Sequence, residues 1–199
     1  MIADSMQPTR RELLRQILAG LTTLSSSYAL DQRQIRDGHG RIEPPIDIPA
    51  IPLYCADGSS QDLTGLTRGK TTAVQLIFTQ CTTTCPIQAA IFQQLQKLLS
   101  GSARHGAQLL SISVDPENDT PQSLREWLHR FHAGNQWTAA VPLPKDLAAI
   151  QGLFGKQGNT VENHNTQVHI VNQHSQIVWS SIELPSAESI AAVLSRIPR

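Results

Sequence analysis

From Ile48 onward, apolar positions alternate between short unbroken runs and stripes at helical spacing. Ala73-Val74-Gln75-Leu76-Ile77-Phe78 and Leu109 to Val114 are short, mostly apolar runs, which predict buried strands. Between them Ile87, Ile91, Leu95 and Leu98 recur at helical spacing and stop before Gly101, predicting a helix with that stripe as its face. Thr120-Pro121 is a helix start, a hydroxyl cap followed by proline at the first helical position. Leu124, Trp127, Leu128 and Phe131 then form the apolar face, and Leu147, Ile150 and Phe154 predict a third helix. Gln167 to Val171 and Gln176 to Trp179 predict two strands joined by a turn at His174-Ser175, and Ser186 to Ile197 a closing helix. Ahead of all these, Ile51-Pro52-Leu53-Tyr54 and a turn at Asp57-Gly58 predict a short hairpin.

Long crossovers through helices imply parallel strands early in the chain, and the short late turn implies an antiparallel pair. The expected fold class is therefore α/β: a thioredoxin-like fold with a mixed central sheet flanked by helices and an N-terminal hairpin extension. Its length of 199 residues and 40% hydrophobic content suit one domain with appendages. Sixteen basic residues balance sixteen acidic ones, which argues against a nucleic-acid or anionic-membrane partner held by bulk charge. No stretch is long and apolar enough to predict a stable membrane span.

The chain divides into 1–29, 30–47 and 48–199. Thr9-Arg10-Arg11-Glu12-Leu13-Leu14-Arg15, a weakly apolar stretch from Ile17 to Leu24, and Ser27-Tyr28-Ala29 read as a twin-arginine-like export signal. Leu13, Leu14, Ile17, Leu18 and Leu21 also fit an amphipathic helix. Export would place a soluble mature protein in the periplasm or another compartment where disulfides persist. Residues 30–47 are polar, with Asp37-Gly38-His39-Gly40 and Pro44-Pro45, and read as a linker or an ordered arm.

Three cysteines are too few for a disulfide-stapled scaffold, so their spacing carries the information. Cys81 and Cys85 stand where the first buried strand passes into the first helix, with Pro86 next. Proline disfavours helical dihedrals at the preceding residue, so the helix is expected to begin at Pro86 with Cys85 at its entrance. The positive end of a helix favours thiolate over thiol. Three intervening residues let the sulfurs converge, either to close a disulfide or to offer two soft metal ligands. An inert bridge or a pair of buried thiols is the plainer alternative, although so small a ring restricts the unfolded chain little. Cys55, beside the hairpin turn and without a partner at motif spacing, reads as a buried or partly buried bystander, with a redox role as the alternative.

Of seven histidines, His129 and His132 are three apart on one predicted helix, a weak metal pattern that solvated positions explain equally well. His169 and His174 fall in and after a strand, while His39 and His105 are flanked by glycine and need no function. His164, in the polar run Thr160 to Asn165 before a predicted strand, is placed to approach the dithiol end of such a fold as a third donor.

Phe78-Thr79-Gln80-Cys81-Thr82-Thr83-Thr84-Cys85-Pro86 resembles the Cys-x3-Cys-Pro motif of the Sco/SenC family. Ser113 to Pro121 is similar to that family's second hallmark, and His164 matches the position of its metal-binding histidine. The similarity covers roughly residues 48 to 197. It implies Cu(I) or Cu(II) held by Cys81, Cys85 and His164, in a metallochaperone that assists assembly of the CuA centre of cytochrome c oxidase. The implied partner is the oxidase's copper-bearing subunit or another periplasmic copper or thiol protein. The alternative is a periplasmic thiol–disulfide oxidoreductase using the Cys81/Cys85 redox dithiol without obligatory metal. Thr82 stands where many members carry proline, and His169 and Asn172 replace the aromatic and acidic residues common after the family histidine, which makes His169 a reserve ligand.

Overall fold

The computed structural model of the chain describes residues 39–100, 107–155 and 166–198. Residues 1–29, read as an export signal, the first part of the segment read as a linker or arm, and His105 lie outside the described residues. The hairpin predicted near the N-terminus is present as β2 (Pro52–Cys55) and β3 (Ser60–Asp62), turned at Gly58, whose φ of 89° favours glycine. A short helix that the pattern did not announce, α1 (Leu63–Thr67), follows, its first turn capped by the Asp62 carboxylate accepting from the Gly65 N–H. Then come β4 (Thr71–Ile77), α2 (Thr84–Ser100), β5 (Ala107–Ser113) and α3 (Pro121–Arg130). The segment read as a linker or ordered arm includes β1 (His39–Asp47), a mostly exposed strand.

After α3 the chain makes β6 (Trp137–Pro142), a 3-10 turn at Pro144–Asp146, and α4 (Leu147–Phe154). The closing elements are β7 (Val168–Val171), β8 (Gln176–Ser181) and α5 (Ala187–Leu194). One eight-stranded sheet results, in the order β1-β8-β7-β4-β5-β6-β2-β3. Strands β4, β5 and β6 are parallel neighbours, whereas β7 lies antiparallel to β4 and β8 antiparallel to β7. The parallel strands are joined through helices and the antiparallel ones by a tight turn, as the crossover lengths require.

Each central strand divides its side chains between two cores. Ala73, Ile77, Leu109, Trp137 and Ile170 face the core covered by α2, α3 and α5. Val74, Leu76, Leu110, Ile112 and Ala140 face the core covered by α1 and α4. Both thiols of the Cys81/Cys85 pair belong to the first core and Cys55 to the second.

The face of α2 differs from the expected one. Ala89, Phe92, Leu95 and Leu99 are buried, while Ile87 is 55% and Leu98 39% exposed. Cys85 is buried in the first turn, and its burial sets the phase: residues three, four, seven, ten and fourteen further on then face the sheet. Leu95 belongs to both stripes, which is why spacing alone chose the wrong one.

Candidate functional site

Strand β4 ends at Ile77, and a backbone turn with Cys81 N–H donating to Phe78 O at 3.2 Å carries the chain to the first thiol. Helix α2 begins at Thr84, not at Pro86 as expected. The first turn of a helix leaves its N–H groups without intrahelical partners, so a proline there forfeits no ladder bond. Cys85 is therefore already helical. Its N–H donates to Cys81 Sγ at 3.3 Å, so the first sulfur caps the helix that carries the second.

That geometry makes the two thiols unequal. Burial pushes Cys81 upward, but the N–H and thiol of Cys85 and the N–H and hydroxyl of Thr83 outweigh it, and its acidity ends above that of an ordinary thiol. Cys85 has no exposed surface, and burial holds its pKa far above the usual thiol range despite a hydrogen bond from the Phe78 backbone. The neighbouring Cys81 and the Asp119 carboxylate push it the same way. The helix dipole thus favours charge on Cys81, the sulfur outside the helix, more than on Cys85.

Asp119 is a component that spacing did not reveal. Only 4% exposed, it accepts the Thr79 N–H on both oxygens at 3.3 and 3.1 Å, and the Thr79 hydroxyl on Oδ1 at 2.5 Å. The Ser113 hydroxyl donates to Oδ2 at 2.6 Å, and the Asp115 N–H donates to Ser113 Oγ at 3.0 Å. One carboxylate thereby ties the loop leading to Cys81 to the turn leaving β5. The available signal was the run Ser113 to Pro121, which places a serine, two aspartates and a helix cap within nine residues of sequence. Thr120 is indeed that cap, in a reciprocal box with Ser123 and with Pro121 in the first turn.

Two adjacent sulfurs of a dithiol suit a soft ion such as Cu(I). Among the described residues no group of three His, Cys, Asp or Glu side chains could hold a metal. His164, the expected third donor, lies outside the described residues. His169 is not a reserve ligand. It pairs in register with Val74, which faces the second core, so it lies on the other side of the sheet from the dithiol. Its Nε2 donates to Phe154 O at 2.8 Å, which leaves Nδ1 to accept from the Ser180 hydroxyl at 2.6 Å. Burial, partly opposed by the Phe154 carbonyl, lowers its pKa to about 4 and keeps the ring neutral. His129 lies in the last turn of α3 and His132 just beyond, in the left-handed region with φ 54°; neither is part of a metal cluster among the described residues. Cys55 is a buried thiol in the second core, raised by burial, as a bystander would be.

The fold and the thiol pair at the β4–α2 junction define a thioredoxin-like protein with a Cys-x3-Cys centre. The chain belongs to the SCO1/SenC family, whose profile matches residues 65–198. It is 34% identical over 96 residues to the SCO1 protein homolog of Bacillus subtilis (strain 168), covering 47% of this chain and 49% of that relative. The chain thus aligns with about half the length of that curated relative. Its fold matches that of a SCO1/SenC family lipoprotein from Bacillus anthracis str. Ames, with a TM-score of 0.66, 22% identity, and coverage of 78% of this chain and 98% of that one. It also matches Bradyrhizobium japonicum ScoI with copper bound, with a TM-score of 0.62, 22% identity, and coverage of 77% and 99%. Among the described residues, no helix is long and apolar enough to cross a membrane.

Proposed function

We propose that this protein is an exported copper-binding assembly factor that holds copper through Cys81, Cys85 and His164 and delivers it during assembly of the CuA centre of cytochrome c oxidase. The observation that carries the reading is the capped pair itself: two sulfurs adjacent at a helix start, one of them already biased toward thiolate. Soft thiolates favour Cu(I), an imidazole accommodates either oxidation state, and three donors leave a position open for a partner's ligand. Family membership and the copper-bound relative of the same fold support it.

The inequality of the thiols also favours a second reading, a thiol–disulfide oxidoreductase. In it, Cys81 thiolate attacks a substrate disulfide, forming a mixed disulfide and expelling one substrate thiolate. Cys85 then gives up its proton and attacks Cys81 Sγ, releasing the second substrate thiol; the substrate gains two electrons and the protein ends as the disulfide.

Anaerobic copper titration of the reduced protein, followed by electron paramagnetic resonance of the Cu(II) form, separates the two. The expected result is near one copper per chain, with His164→Ala weakening Cu(II) binding and bleaching the thiolate-to-copper absorption. Unchanged stoichiometry and spectrum in that variant would remove His164 from the site. Absence of tight copper binding in the wild type would leave the oxidoreductase.

A further inference from the structure

In sequence, residues 156–165, with His164 among them, connect the end of α4 to the start of β7. One buried side chain ties those two ends together. Phe154 is the last residue of α4, and the carbonyls of a helix's last turn have no partner within the helix. Its carbonyl accepts instead from Nε2 of His169, the second residue of β7, at 2.8 Å. The two rings also meet, with centroids 5.3 Å apart. Just beyond, the Gly155 N–H donates to Gln151 O at 2.7 Å, so closely that a Cβ at 155 would stand 2.6 Å from that oxygen. Only glycine lets this helix end close.

His169 is held from its other side as well. It is the register partner of Ser180 in β8, whose hydroxyl meets Nδ1 at 2.6 Å. The ring is 5% exposed, so both nitrogens need protein partners, and both have one. With Nδ1 accepting from Ser180, Nε2 carries the hydrogen that the Phe154 carbonyl requires. The place of this clamp in the fold gives it a use. Val168 pairs with Gln75, two residues before β4 ends and the chain turns toward Cys81. Strand β7 therefore enters the sheet beside the strand that leads to the dithiol. Phe154 belongs to the second core and His169 pairs with Val74 of that core, so the clamp itself lies on the face away from the thiols.

We propose that His169 is a positioning residue: its bond to Phe154 O holds together both ends of the segment that carries His164, and so sets how tightly that histidine completes a copper site begun by Cys81 and Cys85. The inference rests on the copper reading for the role of His164. Closing a segment costs entropy that rises with its length, and fraying of α4 would lengthen this one. With the ends already tied, less ordering remains when the imidazole binds metal.

The first arm of the test uses the reduced, metal-free full chain. His169→Phe keeps a ring against Phe154 and removes the donor. The Gly155 N–H should then exchange with solvent about threefold to tenfold faster, the span of one hydrogen bond, while Leu110 in β5 is unchanged. His169→Gln, whose amide can still donate to Phe154 O, should restore most of the protection. Gly155→Ala disturbs the same helix end from outside the ring and should loosen it in the same way, which serves if His169→Phe folds poorly. In the second arm, Cu(II) affinity measured by chelator competition should fall by a similar factor in His169→Phe, and this loss should vanish in a His164→Ala background. Unchanged exchange at Gly155 would overturn the clamp. An equal loss of affinity with and without His164 would make the effect merely structural and overturn the positioning role. Wild-type copper affinity that ignores His164 would sink the copper reading and with it this use of the clamp. The exchange arm involves no copper, so the two failures are distinguishable.

Discussion

The Cys85 N–H donates to Cys81 Sγ at 3.3 Å, so the first turn of α2 directs its partial positive charge onto a sulfur that is itself outside the helix. Thiolate is the nucleophile, and Cys81 ionises below the ordinary thiol value of 9.0 while Cys85 and Cys55 ionise above it. Alkylation of the folded, reduced protein near neutral pH, read by peptide mapping, should label Cys81 first. Its rate should level off at lower pH than that of a thiol in the unfolded chain, while Cys85 and Cys55 react only at higher pH or on unfolding. His169 gives a second test at this scale. Its folded pKa, lowered from 6.5 to about 4 by burial, means that the unfolded chain takes up the proton first. Stability is then complete above about pH 6.5, declines as pH falls toward 4, and loses about 3 kcal/mol in total. In urea denaturation across this range, His169→Gln should show the smaller dependence on pH. The role of His169 was not legible from spacing, because a strand residue's facing depends on register, and it is pairing with Val74 that turns this ring away from the thiols.

Between the elements, Asp119 does for the loop what the backbone ladder does for the strands. It gathers Thr79 from the segment after β4 and Ser113 from the end of β5, next to where Val114 N–H donates to Ile77 O at 2.8 Å. Asp119→Ala leaves the Thr79 N–H, its hydroxyl and the Ser113 hydroxyl without their acceptor, at a cost of about 3 kcal/mol, measurable by urea denaturation. Asp119→Asn, which keeps the shape and removes the charge, should cost less. Because the carboxylate raises Cys85, the same variant should shift the alkylation profile of that thiol to lower pH, most cleanly in a Cys81→Ser background. The helices α2, α3 and α4 and the strands β4, β5, β7 and β8 were legible because caps and apolar runs mark them. Strand β6 was not. Its Trp137, Ala139, Ala140 and Val141 are all buried, but two alanines of low strand preference and a proline at its end deny it the run of Val, Leu or Ile that marks β4 and β5. The edge strand β1 was legible only as an arm, since its residues are mostly exposed and Pro44-Pro45 lies within it.

Across the whole molecule, one sheet separates two cores, and the dithiol draws on only one of them. Cys81 and Cys85 are packed with Ala89, Phe92 and Trp127, whereas Leu110 and Ile112 lie against Val74 and Ile150 on the opposite face. The order of elements foretold a layered α/β fold, because long crossovers must run through helices and short ones cannot. It did not foretell which stripe of α2 would meet the sheet, nor that Gln88 would be in it, because the buried face runs through Cys85, Gln88 and Ala89 and leaves the apolar Ile87 outside. This division makes stability and site separable. Leu110→Ala removes buried methyl groups from the second core and should cost about 2–5 kcal/mol, depending on how far the cavity collapses. Since β5 is rigidly paired on both sides, with β4 and β6, the loss should not reach the first core. The rate of Cys81 alkylation, measured well below the unfolding transition, should therefore match the wild type. A changed rate in Leu110→Ala would mean that the sheet transmits packing between its faces and that the thiols respond to both cores.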